Sequence, residues 1–294
     1  MKKVVKFGGS SLASAEQFQK VEAIIRRDPE RRYVVPSAPG KRFDSDNKVT
    51  DMLYACYHLA EDGKEFGEEL AQIAARYQEI IDGLSLTVSL KEEFDTIERN
   101  FREKAGEAYA ASRGEYLNGI LMAAYLGFEF VDAAEVIRFA QNGEFDSELT
   151  NKILRERLCK LDYAVIPGFY GACEDGRIRT FSRGGSDITG SIVARAVKAE
   201  VYENWTDVSG ILIADPRIIE DPEGIDTITY RELRELSYMG FNVLHEEAIF
   251  PVRREGIPIN FLNTNGPEDD GTWIVESPCQ KAKYVITGIA GKKG

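Results

Sequence analysis

The 294-residue sequence predicts an α/β fold in which a mostly parallel sheet is covered by helices. Two observations support this prediction. Short segments rich in β-branched and aromatic residues are typical of buried strands, and most of them follow a segment of helical periodicity, as in βαβ units. The strand-like segments span residues 3–7, 33–35, 128–131, 163–166, 201–205 and 257–260.

The segments between these strands complete the alternation. We expect helices over 15–27, from near Glu115, over 147–159, over 186–199 and up to Arg254. Residues 171–181 are typical of a β-hairpin, because Asp175-Gly176 at their centre is a common two-residue turn.

Residues 63–112 interrupt this alternation. They are long, charged and helical in period, and they contain no strand-like segment. We interpret them as a helical insertion, in the form of a hairpin whose charges make a solvated face.

Composition and charge exclude several classes of protein. The formal net charge of −12 disfavours a nucleic-acid partner, because such proteins need a basic surface. No apolar run approaches the roughly 18 residues of a membrane helix, and because the N-terminus goes directly into a strand pattern we expect no signal peptide. The four scattered cysteines favour reduced thiols of the cytoplasm over a zinc site or disulfides. Two histidines, His58 and His245, leave little room for a histidine metal site or a Ser-His-Asp triad.

The opening stretch places a lysine in an apolar strand, directly before two glycines. Lys6 would be costly to bury alone, and Gly8-Gly9 give the backbone access to positive φ and to close approach. Ser10 or Ser11 is a candidate cap for the following helix. A strand, a Gly-Gly turn and a helix N-terminus together favour an anion site, although an ordinary βα turn with a solvated lysine fits equally well.

A second glycine pair repeats this arrangement. Arg183 precedes Gly184-Gly185, and Ser186 or Asp187 is a candidate N-cap of the next helix. A guanidinium here offers a planar fork for a carboxylate.

Polar residues also follow the carboxyl ends of other strands, where ligands bind in open α/β sheets. Thr206-Asp207 follows the strand at 201–205, and Asp207 could hold a metal or a ribose while Arg217 meets phosphates. Residues 36–41 follow the second strand, and Glu115 opens a helix in this interpretation. Turn chemistry alone explains the first two segments as well, and the helix dipole alone explains the glutamate.

Taken together, these stretches resemble one family closely. The chain contains, in the order found in the aspartokinases of the amino acid kinase family, the motifs KFGGSS, SAPGKR, DNKVTD, GEYLNG, SRGGSD, WTDVSGI-x-x-ADPR and VLHEEAIFPV-x-x-x-GIPIN. The resemblance implies a three-layer αβα sandwich of the amino acid kinase (carbamate kinase-like) type. It also implies an N-terminal lobe at 1–200, a nucleotide lobe at 201–280, and the start of a truncated ACT regulatory region at 281–294.

The resemblance further implies phosphoryl transfer from ATP, with Mg²⁺, to the β-carboxylate of L-aspartate, the first step of lysine, threonine and methionine biosynthesis. A carboxylate is already ionised at neutral pH, so positioning and charge neutralisation suffice and no general base is needed. The resemblance assigns phosphate and nucleotide contacts to Lys6, Gly8, Gly9, Ser10, Thr206, Asp207, Arg217 and Asn242. It assigns contacts with the amino-acid substrate to Ser37, Thr50, Glu115, Arg183, Gly185 and Ser186. It assigns catalytic roles to Lys6, Arg183 and Asp187. A cytoplasmic enzyme that can form homo-oligomers is expected.

Two positions depart from the family pattern. Asn242 replaces a lysine that contacts nucleotide, and Leu212 replaces a tyrosine near the adenine. These departures either weaken ATP binding or mark a subfamily, and they are the only support for an inactive nucleotide-binding subunit. A kinase acting on N-acetylglutamate or glutamate is the other alternative.

Overall fold

The computed structural model of the chain describes residues 1–182, 184–214, 219–220, 222–238, 244, 246–277 and 288, with Glu246 described only by its backbone. Its strands are β1 (Lys3–Phe7), β2 (Arg31–Pro36), β3 (Glu129–Phe130), β4 (Arg138–Phe139), β5 (Ala164–Val165), β6 (Tyr170–Cys173), β7 (Ile178–Thr180), β8 (Val201–Thr206), β9 (Ile211–Leu212), β10 (Gly224–Ile225), β11 (Thr227–Thr229), β12 (Ile259–Asn263) and β13 (Thr272–Val275). Its helices are α1 (Ala15–Arg26), α2 (Val49–Glu61), α3 (Gly67–Gly83), α4 (Lys91–Arg102), α5 (Glu107–Leu126), α6 (Ala133–Val136), α7 (Ser147–Leu158), α8 (Gly185–Val197), α9 (Tyr230–Tyr238) and α10 (Glu246–Arg254).

The described residues form one large sheet with the strand order β11-β13-β12-β8-β1-β2-β5-β3. Its neighbours run parallel except for β12 and β13, so the predicted mostly parallel sheet is confirmed. β1 lies between β2 and β8, and their carboxyl ends are level because Phe7 is in register with both Pro36 and Trp205. The hairpin predicted at 171–181 is confirmed as the antiparallel pair β6–β7, with Gly176 at φ +85° in its turn.

The sheet is buried on both faces, as a three-layer sandwich requires. Val4 of β1 belongs to a core that includes residues of α7, α8 and α10, whereas Val5 belongs to a second core built with α1, α2, α3 and α5. Successive residues of a strand point to opposite faces, so Lys6 points, like Val4, toward α8. The strand at the centre of the sheet therefore places its lysine beneath the N-terminus of α8.

Residues 63–112 are helical, as predicted, but they are more than a hairpin. They contain α3, α4 and the first part of α5, which begins at Glu107. Glu115 therefore lies in the middle of α5, and the prediction that it gains from a helix N-terminus is wrong. α5 packs against α2 and the β2 side of the sheet, which buries this part of the helix.

The N-caps of two helices differ from the predictions. Ser14, not Ser10 or Ser11, caps α1 by accepting a hydrogen bond from Gln17 N, because residues 10–12 form a short 3₁₀ helix first. Gly184 is the N-cap of α8 at φ +74°, a left-handed conformation that glycine adopts without strain. Asp187 therefore lies inside the first turn of α8.

The two predicted lobes share the sheet, because β8 of the second lobe pairs with β1 of the first, and β12 pairs with β8 on its other side. Their division stays a prediction, and residues 281–287 and 289–294 of the predicted ACT start lie outside the described residues. Within the described part of the chain, no helix has the length and apolarity needed to cross a membrane.

Candidate active site

A cavity of about 600 Å³ lies at the carboxyl edge of the sheet, where the loops after β1, β2 and β8 meet. This is the edge at which open α/β sheets bind ligands. Its lining includes eight of the predicted site residues: Gly8, Gly9, Ser10, Ser37, Thr50, Glu115, Thr206 and Asp207. Residues separated by up to 199 positions in the chain are thus brought to one cavity.

Backbone hydrogen bonds tie the first two of these loops to their neighbours. Gly8 N donates to Trp205 O at 3.0 Å, Ser37 N donates to Phe7 O at 3.1 Å, and Gly40 N donates to Gly9 O at 2.8 Å. The Gly8 amide is therefore already used. Among the described residues, neither Gly9 N nor Ser10 N has a backbone acceptor, so these two amides are available to an anion.

The glycines are needed for space rather than for positive φ. Gly9 has φ −61°, in the ordinary helical region. A Cβ on Gly9 would lie 2.8 Å from Ala38 O, and one on Gly40 would lie 2.6 Å from Gly9 C. The close approach of the two loops explains why side chains are excluded from both positions.

Lys6 is buried and paired. Its Nζ lies 2.6 Å from Asp187 Oδ1 and 3.4 Å from Asn204 Oδ1, and Asn204 Nδ2 donates to Asp187 Oδ1 at 2.8 Å. A Cβ at Gly8 would lie 3.7 Å from the same Nζ, which places the ammonium directly behind the wall of the cavity. This pairing is what allows a lysine inside an apolar strand.

Gly185 and Ser186, at the start of α8, pack against the segment between β5 and β6. Gly185 leaves room for the Phe169 side chain and backbone, and Ser186 packs against Gly168 after β5. Lys6, Gly185, Ser186 and Asp187 do not belong to the lining of the cavity; Asp187 is connected to it through Lys6, whose Nζ lies behind Gly8.

Glu115 faces the cavity with an incomplete set of partners. Its side chain is buried, and its Oε2 has no hydrogen-bond partner among the described residues. Burial raises the pKa of Glu115 to about 8, although the Ala38 backbone hydrogen bond and the Arg113 charge oppose this shift. At neutral pH this carboxyl group is therefore mostly protonated, and a bound cation would favour its ionised form.

A family model shows where this chain belongs. The model of the amino acid kinase family matches residues 1–263. The chain belongs to the amino acid kinase family.

Its relatives include proteins with the activity that its motifs indicated. Aspartokinase 3 of Bacillus subtilis is 42% identical over 99% of this chain and 67% of its own length. A crystal structure of Clostridium acetobutylicum aspartate kinase is 51% identical, with a TM-score of 0.92, and the match covers 99% of this chain and 66% of that one. Escherichia coli aspartokinase III, in a structure with aspartate and ADP, is 27% identical with a TM-score of 0.81 over 95% of this chain and 65% of that one. The resemblance to aspartokinases is confirmed, and the chain spans about two thirds of the length of these three relatives.

Sequence reasoning missed two asparagines at the site of this amino acid kinase. Asn204 contacts Lys6 and Asp187, and a buried amide inside β8 was the available signal. Asn118 is fully buried and donates from Nδ2 to Ser37 O at 2.6 Å. It lies three residues after Glu115, on the same face of α5, inside the GEYLNG motif.

Three predicted contacts of the family site, Arg183, Arg217 and Asn242, lie outside the described residues, and their roles stay predictions. Across the described residues, no three His, Cys, Asp or Glu side chains converge as a metal cluster would. Thr206 and Asp207 are among the residues that line the cavity, and side chains with oxygen donors are the type that suits Mg²⁺.

Proposed function

We propose that this chain catalyses transfer of the γ-phosphoryl group of ATP to the β-carboxylate of L-aspartate, forming 4-phospho-L-aspartate. One observation carries the proposal: the Gly9 turn, with two available amides, and the incompletely paired Glu115 line the same cavity. One feature suits phosphate and the other suits an ammonium group. The relatives named above, one with bound aspartate and ADP, support this choice of substrates.

The proposed reaction needs charge neutralisation rather than a base. The attacking carboxylate is ionised at neutral pH, and it approaches a polyanion. Lys6 supplies positive charge beside Gly8, and Asp187 with Asn204 holds its ammonium in position. Donors fixed before the reaction stabilise charge that develops in the transition state without a cost of reorganisation.

Glu115 binds the substrate ammonium in this proposal. The ammonium would give Oε2 its missing partner and would favour the ionised carboxylate, reversing the effect of burial on the pKa. Ser37 and Thr50 line the same cavity, and Asn118 Nδ2 donates a hydrogen bond to the backbone carbonyl of Ser37. Arg183 is proposed to bind a substrate carboxylate.

Nucleotide binding is proposed at Gly9, Ser10, Thr206 and Asp207, which line the same cavity. Mg²⁺ would be held chiefly by phosphate oxygens and water, with the Asp207 carboxylate as an available ligand. When bound, it supplies further charge neutralisation on the phosphates.

The proposal is tested with purified protein, MgATP and three acceptors: L-aspartate, L-glutamate and N-acetyl-L-glutamate. ADP release is followed by a coupled assay, and hydroxylamine traps the acyl phosphate. We expect turnover and a hydroxamate with L-aspartate only. Turnover with either other acceptor, or with none, would overturn the assignment.

A variant separates the two halves of the site. Arg183→Ala is expected to abolish aspartate use while ADP affinity, measured by isothermal titration, changes less than about threefold. Loss of ADP affinity with intact aspartate affinity would reverse the assignment of the two sides.

A further inference from the structure

The helical insertion contributes one buried arginine that the prediction of a solvated face did not anticipate. The side chain of Arg76, on α3, is only 5% exposed. Arginine is almost never buried to this degree unless it is paired, so its partners indicate what it does.

The guanidinium of Arg76 reaches the loop between β2 and α2, residues 37–48, which we call the β2–α2 loop. Nη1 donates to Asp46 Oδ2 at 2.8 Å and to Asn47 O at 3.3 Å, and Nη2 donates to Gly40 O at 3.0 Å. Gly40 N in turn donates to Gly9 O at 2.8 Å. A continuous chain of contacts therefore runs from the insertion to the turn proposed to meet phosphate.

The β2–α2 loop is buried at residues 38–40, but its following part lacks a buried apolar side chain. Residues 41–45 are exposed, and Phe43 is 58% exposed. Hydrogen bonds from Arg42, together with the charge of Arg76, hold the pKa of Asp46 well below its usual range. Asp46 is therefore ionised at neutral pH, and it holds Arg42 through both the backbone N–H and the guanidinium.

The next residue of α3 contacts α5 directly before Glu115, which lines the cavity. Tyr77 is fully buried and donates from its hydroxyl to Gly114 O at 2.7 Å, directly before Glu115. Gly114 itself leaves no room for a Cβ, which would lie 2.7 Å from Ala38 Cβ. Two adjacent residues of one helix thus contact both the loop and the helix that border the cavity.

We propose that Arg76 is a positioning residue: through Gly40 and Asp46 it fixes the β2–α2 loop against the Gly9 turn. The insertion thereby sets the distance between the phosphate side and the amino-acid side of the cavity. This inference rests on the proposed function for its effect on catalysis, but its effect on the loop is independent of that function.

The substitution Arg76→Met tests the proposal without leaving Asp46 unpaired, because Arg42 remains as its partner. Gly40 O loses its side-chain donor. A displacement of about 1 Å at reacting groups can lower the rate about 100-fold, so we expect kcat with aspartate to fall at least about tenfold. Arg76→Lys keeps the charge but not the fork, and we expect an intermediate kcat.

The matched control is Arg99→Met, because Arg99 is an exposed arginine of the same insertion with one long hydrogen bond to Thr96. We expect its kcat to stay within about twofold of wild type. Hydrogen exchange measured by mass spectrometry provides a readout that does not depend on activity. Peptides covering 39–49 should exchange at least about tenfold faster in Arg76→Met, whereas peptides from β1, α1 and α8 should not change.

The outcomes are distinct. Unchanged exchange at 39–49 together with kcat within threefold of wild type would overturn the positioning role. Faster exchange throughout the chain would show a general structural role instead. If Arg76→Met does not fold, Arg76→Lys and Asp46→Asn decide by the same measurements. A wild-type protein inactive on aspartate would overturn the proposed function, while the exchange data would still decide the role of Arg76.

Discussion

Two buried glutamates of this molecule lie in opposite electrostatic surroundings. Glu203 of β8 is 3% exposed and has three partners: Arg31 Nε at 2.8 Å, Lys3 Nζ at 3.1 Å and Trp205 Nε1 at 2.9 Å. Lys3 and Arg31 are the first residues of β1 and β2, so both cations contact Glu203 from the amino ends of their strands.

Glu115 is 6% exposed, yet Oε2 has no partner among the described residues, and burial raises its pKa to about 8. Buried polar groups are normally satisfied inside the protein, as Glu203 is. The difference teaches that burial alone does not mark a functional carboxylate. What marks it is burial beside a cavity with a partner left to be supplied by a ligand.

Among the effects on stability, the largest is expected when the satisfied cluster around Glu203 is broken. Glu203→Gln leaves Arg31 without its counter-charge, and we expect the free energy of unfolding to fall by about 3 kcal/mol in urea denaturation.

Glu115→Gln should not lose stability at pH 8. The folded pKa of Glu115 is raised, so wild type loses stability as the pH rises from about 4.5 to about 8, and the variant avoids that loss. Equal destabilisation by both variants would contradict the comparison.

Lys6 and Lys3, two lysines of β1, allow a second comparison between the cavity and the satisfied cluster around Glu203. Lys6→Ala removes a charge at the cavity, and we expect kcat with aspartate to fall on the order of 10²–10³-fold, as for loss of a transition-state donor. Lys3→Ala removes a charge from the satisfied cluster. It should keep kcat within about twofold and lower stability by about 1 kcal/mol, because Lys3 is partly exposed. Steady-state kinetics and urea denaturation of the pair check both statements.

The proposed ammonium contact predicts an effect on substrate affinity. Glu115→Gln should raise the KM for aspartate at least about 30-fold, or about 2 kcal/mol, because a buried charge partner is lost. Glu107→Gln, at the exposed start of the same helix, should leave this KM unchanged. A KM within threefold of wild type in Glu115→Gln would remove Glu115 from the substrate site.

The smallest expected effect is a dependence of aspartate affinity on pH. Below about pH 8 Glu115 must lose its proton to pair with the substrate ammonium, so aspartate should bind about tenfold, or about 1.4 kcal/mol, more weakly for each pH unit toward pH 6. Isothermal titration in two buffers of different ionisation enthalpy should show release of about one proton near pH 6.5 and almost none near pH 9. A flat affinity from pH 6 to pH 9 is the contrary result.

Prediction from the sequence was correct for features that depend on residues close together in the chain. The alternating strands and helices, the hairpin at 171–181 and the Gly-Gly turn after β1 were all predicted, because periodicity and turn residues report local conformation. Helix starts were less reliable. Ser14 and Gly184 cap α1 and α8, where several neighbouring polar or glycine residues offered equally good caps.

The sequence by itself determined the family, the parallel sheet and the loops that line the candidate site, because each depends on residue types at short spacing. Only the tertiary structure decided that Asn204 joins Lys6 and Asp187, that Arg76 reaches Gly40, and that Glu115 is buried with Oε2 unpaired. These contacts join residues 17 to 198 positions apart. Burial and its effect on a pKa arise from the packing of separate elements, which no local pattern contains.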